Sequence, residues 1–177
     1  RQEQLRYYQS RHEAAEALRE SEDKFRHVFD HSVNGKSITL PSGEIHVNRA
    51  MCEMLGYSQE ELKTRKWQDI THPDDLQHTQ RMVDSLLSGE RDSVRFPKRY
   101  LHKNGSAVWA DVGTALRLDQ DGKPLYFMTS ISDITERKRA EGELQVLSSR
   151  YQAILAAVPD IVAEVDENKV YTWVNRA

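Results

Sequence analysis

Two histidines, His27 and His31, stand four residues apart, a spacing at which one helix face can offer two imidazoles to a metal. No acid or third histidine has a comparable placement, and Phe25, Val28 and Phe29 give the segment a core-facing character. A structural role is the stronger expectation for the pair, and no metal is expected. The single cysteine, Cys52, rules out an intrachain disulfide, fits a reducing compartment and reads as a small core thiol. His72 precedes Pro73-Asp74-Asp75. Proline in a first turn with two acids beside it starts a helix, the acids answering the positive end of the helix dipole and His72 capping it. These paired acids therefore need no catalytic explanation. There is no G-x-S-x-G, no phosphate loop and no kinase or cyclase motif. No catalytic residue is expected, and the chain itself is not expected to be an enzyme.

The bulk numbers narrow the class. Of 177 residues 30% are charged and 38% hydrophobic, with a net charge of -3. No stretch is dominated by Lys and Arg with interleaved aromatics, so no nucleic-acid partner is expected. No apolar run approaches membrane-spanning length, and no apolar region follows the first residues as a signal peptide would require. Direct membrane contact is not expected, and a cytoplasmic location is, although the parent can be membrane-attached. The chain begins and ends inside regular elements, so it reads as a piece of a larger protein.

Several elements must position any site. Residues 1–31 hold many helix formers and no Gly or Pro. Leu5, Tyr8, His12 and Ala15 make a stripe, continued more loosely by Leu18, Phe25 and Phe29. This helix either lies on its own domain or joins a second copy; the spacing fits both. Residues 37–40 and 44–47 read as a hairpin around Pro41-Ser42-Gly43. Asn48 stands at an N-cap, Gly56 at an αL helix end, and Ser58 with Glu61 forms a capping box. The helix begun at Pro73 runs through Leu76, Val83, Leu86 and Leu87 to Gly89. Strands follow at 94–102 and 107–118, joined by the turn Lys103-Asn104-Gly105-Ser106, and Pro97 marks the former as an edge strand or a bulge.

The last strand, opening at Tyr126 after the turn cluster Asp119-Gln120-Asp121-Gly122, passes into a helix over 133–158 with no flexible spacer. Asp133 and Glu136 have capping-box spacing, with Thr135 between them, so this junction is the expected signal site. The helix carries a heptad-like seam of Ala140, Leu144, Leu147, Tyr151, Ile154 and Val158, with Gly142 inside it. Val47-Asn48-Arg49-Ala50 recurs as Val174-Asn175-Arg176-Ala177 after another strand-turn-strand pattern. The chain thus reads as one complete unit and the first hairpin of a second.

This element order, with three antiparallel strands last, resembles that of a PAS domain. The local motifs agree: Val47-Asn48-Arg49-Ala50 with Met54-Leu55-Gly56-Tyr57-Ser58, His72-Pro73-Asp74-Asp75, Lys103-Asn104-Gly105-Ser106 with Trp109, and the PAC-type Ser132-Asp133-Ile134-Thr135-Glu136. The resemblance implies an α+β fold, a five-stranded antiparallel sheet with helices on one face around a small cavity, and long flanking helices at both ends. The expected layout is a helical linker over 1–24, a PAS domain over 25–137, a coiled-coil-like signalling helix over 138–158 and a truncated second hairpin over 159–177. The implied function is a sensory module that forms a homodimer through its flanking helices. It would relay a signal to a downstream domain in the same chain, of histidine kinase or cyclic-dinucleotide type. The rival is a receptor domain for a small molecule, metabolite or haem.

Face assignment, with the resemblance supplying which parity of the last strand looks inward, gives the cavity candidates. From the strands they are Ile38, Leu40, Val108, Val112, Thr114, Phe127, Thr129 and Ile131; from the helices, Met51, Leu55, Trp67, Ile70, Met82 and Leu86. A packed core would need the same residues. Apart from the Thr129 hydroxyl few polar groups are expected there, which favours an empty or weakly occupied cavity and no cofactor. The flavin photosensors of the family need a cysteine where this chain has Trp67, which argues strongly against a photoactive flavin adduct. Haem-binding relatives use a histidine near the position of His78. Helix arithmetic turns His78 roughly 120° from the face of Leu76, Val83, Leu86 and Leu87, toward solvent, so haem is disfavoured too.

Overall fold

The computed structural model describes residues 2–157, 163–167 and 171–174. Two compact units emerge, residues 1–134 and 135–177.

The first unit opens with helix α1, Gln2–Asp30, followed by strands β1, Gly35–Thr39, and β2, Ile45–Val47. Helices α2, Arg49–Leu55, and α3, Gln59–Lys63, come next, then 3₁₀ turns at Trp67–Ile70 and Pro73–Asp75 that lead into helix α4, Leu76–Leu87. Strands β3, Ser93–Leu101, β4, Ala107–Leu118, and β5, Pro124–Asp133, complete an antiparallel sheet of order β2-β1-β5-β4-β3. This is the expected α+β architecture. Placing β5 beside β1 joins the two ends of the unit, with Ser37 opposite Thr129 and Thr39 opposite Phe127.

The local signals become caps and turns. Asn48 accepts from Met51 N–H, and Gly56 ends α2 at φ 74°. An alanine methyl at Gly56 would lie 2.6 Å from the His102 ring, so this position excludes a side chain by space as well as by backbone. Ser58 and Glu61 complete the capping box. Pro97 lies in an edge strand, as its missing N–H requires. That edge is covered further along: Arg99 N–H donates to the Asp75 carboxylate at 2.7 Å and Arg99 C=O accepts from His72 N–H at 3.0 Å.

Asn48 does more than cap. It is fully buried, and Oδ1 also accepts from Lys36 N–H at 2.8 Å. Its Nδ2 donates to the carbonyls of Phe29, at 2.9 Å, and Asn34, at 3.0 Å. One side chain thereby ties the end of α1, the entry to β1 and the start of α2.

The core forms two clusters. One gathers Ile45, Met51, Leu55, Leu62, Ile70 and Ile131 with neighbouring strand residues; the other gathers Leu86, Val94, Phe96 and Phe127. Two expectations about helix faces need correction. In α1, Phe25 is 49% and Val28 71% exposed, so its end is not core-facing; only Phe29 and Asp30 are half-buried, where Asn48 holds the helix. The rings of His27 and His31 stack on each other at 4.2 Å on this exposed surface. In α4 the buried residues are Thr79, Ser85 and Leu86, while Leu87 is exposed. The hydroxyls of Thr79 and Ser85 donate to the carbonyls of Asp75 and Met82, both at 2.8 Å. Satisfied in this way, they can be buried like apolar groups. The face is rotated toward His78, which is half-buried with its ring edge-on to Phe96 at 5.3 Å, not turned to solvent.

The second unit holds helix α5, Thr135–Ala157, and the antiparallel strands β6, Ala163–Val165, and β7, Tyr171–Val174. The hairpin expected before the repeated motif is therefore present. Val158 and Asn175-Arg176-Ala177 lie outside the described residues. Among the described residues no helix is long and apolar enough to cross a membrane.

Candidate functional site

Between the two core clusters lies a cavity of about 230 Å³. The sheet supplies one wall and α4 with the two 3₁₀ turns supplies another. Register decides which strand residues reach it, because directly opposed residues share a face. Thr129 and Phe127 line the cavity, so Ser37 and Thr39 opposite them do as well. Ile38, opposite Met128, takes the other face and does not line the cavity, which corrects its assignment. Leu40, Val112 and Thr114 line it as expected, and so do Met51, Trp67, Ile70, Met82 and Leu86. Leu55, Val108 and Ile131 are buried in the first cluster but are not part of the lining.

The wall is more polar than the pattern of apolar residues implied. Ser37, Thr39, Thr79 and Gln80 join Thr114 and Thr129, whose hydroxyls lie 3.1 Å apart. The largest omission is Lys98. Residues Val94, Phe96, Lys98 and Tyr100 alternate inward along β3, each buried, and all four line the cavity. Lys98 is only 3% exposed. Its Nζ donates to Thr71 Oγ1 at 2.9 Å and stands 4.2 Å from the Tyr100 ring centre and 5.7 Å from that of Trp67. Burial pushes its ammonium down to about 7, against a weaker opposing pull from the Asp75 charge. Burial also raises the Tyr100 phenol. The alternation of β3 carries this information in the sequence, since a strand with Val94, Phe96 and Tyr100 facing in must turn Lys98 in with them.

Next to Lys98 on the chain, Arg99 faces the opposite way. Its guanidinium meets both oxygens of Asp75, with Nη2 at 2.7 Å from Oδ1 and Nε at 3.0 Å from Oδ2, and lies over the Trp109 ring at 5.4 Å. Arg99 holds the Asp75 carboxyl below the usual carboxylate range. The pair fixes the start of α4 to β3.

The family described as the PAS fold matches residues 44–131 of this sequence. A probable diguanylate cyclase of Escherichia coli is 40% identical over 134 residues, which are 75% of this chain and 12% of that protein. The chain carries a PAS domain. A sensor histidine kinase of Ectopseudomonas mendocina is 28% identical over 146 residues, covering 80% of this chain and 15% of the kinase. The chain thus spans a small part of the length of these relatives. Among solved structures, a PAS domain from Colwellia psychrerythraea superposes with a TM-score of 0.60 at 21% identity, over 64% of this chain and 97% of that one. A sensory box histidine kinase/response regulator from Burkholderia thailandensis gives 0.58 at 20% identity, over 73% of this chain and 98% of that one. At these identities the likeness is one of fold.

In the PAS domain the last strand reaches further than the sequence implied. Asp133 is the final residue of β5, opposite Ala110, and Ile134 N–H still donates to Trp109 C=O at 2.8 Å. The helix therefore begins at Thr135, with Glu136 in its first turn, two residues later than expected. Along α5, Ala140, Leu144, Leu147, Tyr151 and Ile154 are exposed, and Leu155 is its one buried residue. Among the described residues no group of three or more His, Cys, Asp or Glu could hold a metal.

Proposed function

We propose that this PAS domain is a sensory relay of a larger cytoplasmic signalling protein. Its cavity receives the stimulus and β5 carries the response into α5. The observation that supports this most directly is the continuity of one segment. Phe127 and Thr129 line the cavity, Asp133 ends the same strand, and α5 starts at Thr135. A displacement of the cavity wall along this segment arrives at the first turn of a long helix. The output domain of the parent is of diguanylate cyclase or histidine kinase type, as in the relatives, and the fragment itself is not the catalyst. The protein acts as a homodimer through its flanking helices. The exposure of Leu144, Leu147 and Tyr151 at 67%, 64% and 62% supports a seam that a second copy covers.

The test lengthens α5 within the parent protein. At about 100° per residue, two inserted residues after Ala140 turn the rest of the helix by about 200° and nearly reverse its phase, whereas seven restore it within about 20°. Stimulus-dependent output is expected to survive seven and be lost with two. Unchanged output with two inserted residues would sink the relay. Leu147→Asp is expected to shift the sedimenting species toward monomer, and an unchanged mass would remove the seam.

A further inference from the structure

The charge of the cavity wall is one-sided. Lys98 is buried in it, Lys66 is an exposed residue of its lining, and among the described residues no aspartate or glutamate lines it. The nearby acid that acts on Lys98, Asp75, already has both oxygens committed to Arg99. An ammonium has three donors, and the one hydrogen bond that Lys98 makes is to Thr71. The aromatic faces of Tyr100 and Trp67 attract the charge but accept no conventional hydrogen bond. A purely structural lysine would be expected to reach water or a carboxylate, because burying an ammonium without an anion is costly. Here the side chain instead ends in a cavity whose other lining mixes hydroxyls with Met82, Leu86 and Phe127.

We propose that the cavity binds a small organic carboxylate, whose charged end pairs with Lys98 Nζ and whose apolar body lies against Met82, Leu86 and Phe127. The volume of about 230 Å³ has space for roughly eight water-sized groups, which limits the ligand to a short-chain or single-ring acid. A carboxylate, which only accepts, suits an ammonium with donors to spare; the neighbouring Thr71 hydroxyl is already used, donating to Trp67 C=O and accepting from Lys98. The proposal rests on the cavity being the sensory site, but it can fail independently, because the relay is read in output and this is read in binding.

Binding also moves a proton. The titratable groups next to Lys98 are Asp75 at the start of α4, whose charge acts on it, and Tyr100 on β3, whose ring it lies over; Lys66 lines the same cavity. Asp75 is held ionised by Arg99 and Tyr100 is held neutral by burial. Lys98 is thus the group positioned to respond. A ligand that binds its charged form must draw a proton from solution at pH values above about 7.

Hexanoate and hexanamide, which share shape and differ in charge, are titrated by calorimetry into the whole chain at pH 8 in buffers of different ionisation enthalpy. Hexanoate is expected to bind about tenfold or more tightly than hexanamide, with proton uptake, and Lys98→Met is expected to erase that difference. Equal binding of acid and amide, or no hexanoate binding at millimolar concentration, would overturn the proposal. The wild-type comparison stands whether or not Lys98→Met folds.

Discussion

Asn48 and Lys98 are both polar, both buried and both within the same unit, yet they are finished to different degrees. Asn48 uses its oxygen twice and its nitrogen twice, each time on backbone whose own partners would otherwise be missing. Lys98 makes one hydrogen bond and rests on two rings. A buried group with every bond made adds to stability and fixes geometry. A buried charge with bonds to spare costs stability, and that cost is recovered only when something else completes it. The contrast separates scaffold from site without reference to any relative.

The largest expected effect is at the scaffold end. Asn48→Ala should lower unfolding free energy by about 3 kcal/mol, more than a simple cap, because it orphans four backbone groups. Chemical denaturation measures this, and a loss no larger than that of an exposed cap would break the contrast.

Lys98→Met should have the opposite sign, a gain of about 1–2 kcal/mol at pH 6. Its pH dependence follows from the depressed ammonium. The folded chain releases the proton near 7, whereas the unfolded chain keeps it to the ordinary lysine value of 10.5. Between those values the unfolded chain binds more protons, so wild-type stability rises with pH and the advantage of Lys98→Met shrinks toward pH 10. Melting curves of both proteins across that range would show convergence; parallel curves would mean that burial does not depress Lys98.

The smallest effect belongs to the exposed box at Ser58. Ser58→Ala should cost about 1 kcal/mol. Its partner Glu61 is held down to about 2, first by its hydrogen bond to Lys103 and then by the Ser58 backbone. A depressed carboxyl contributes stability above its ordinary value of 4.5 that is lost as pH falls toward 2. Lys103→Met should therefore flatten the acid limb of the stability profile, which acid titration monitored by circular dichroism can follow.

What could be read before the structure was largely local. Asn48, Gly56, Ser58, Pro73 and the Lys103–Ser106 turn each declare themselves within a few residues, because caps and turns close over that distance. The sheet followed from strand order. What could not be read depends on pairing across the chain. Face assignment within the sequence turns Ile38 inward with Leu40, but the register of Ser37 on Thr129 puts Ile38 outside. A hydrophobic pattern cannot mark Thr79 and Ser85 as buried, because the back-bonding of their hydroxyls is invisible in it. Lys98 stays hidden in the sequence because lysine is rarely buried, although β3 alternates cleanly around it. The continuation of the ladder through Ile134 depends on Trp109, twenty-five residues earlier.

The covered edge of β3 bears on behaviour at high concentration. A bare edge strand is a template on which a neighbouring chain can lay a strand of its own, and such addition is the first step toward fibrils. Here Pro97 has no amide to offer, and Arg99 has committed its amide to Asp75 and its carbonyl to His72. The opposite edge, β2, is three residues long. Over Pro97 and Arg99, and along the short β2, strand-by-strand growth therefore has little to grip.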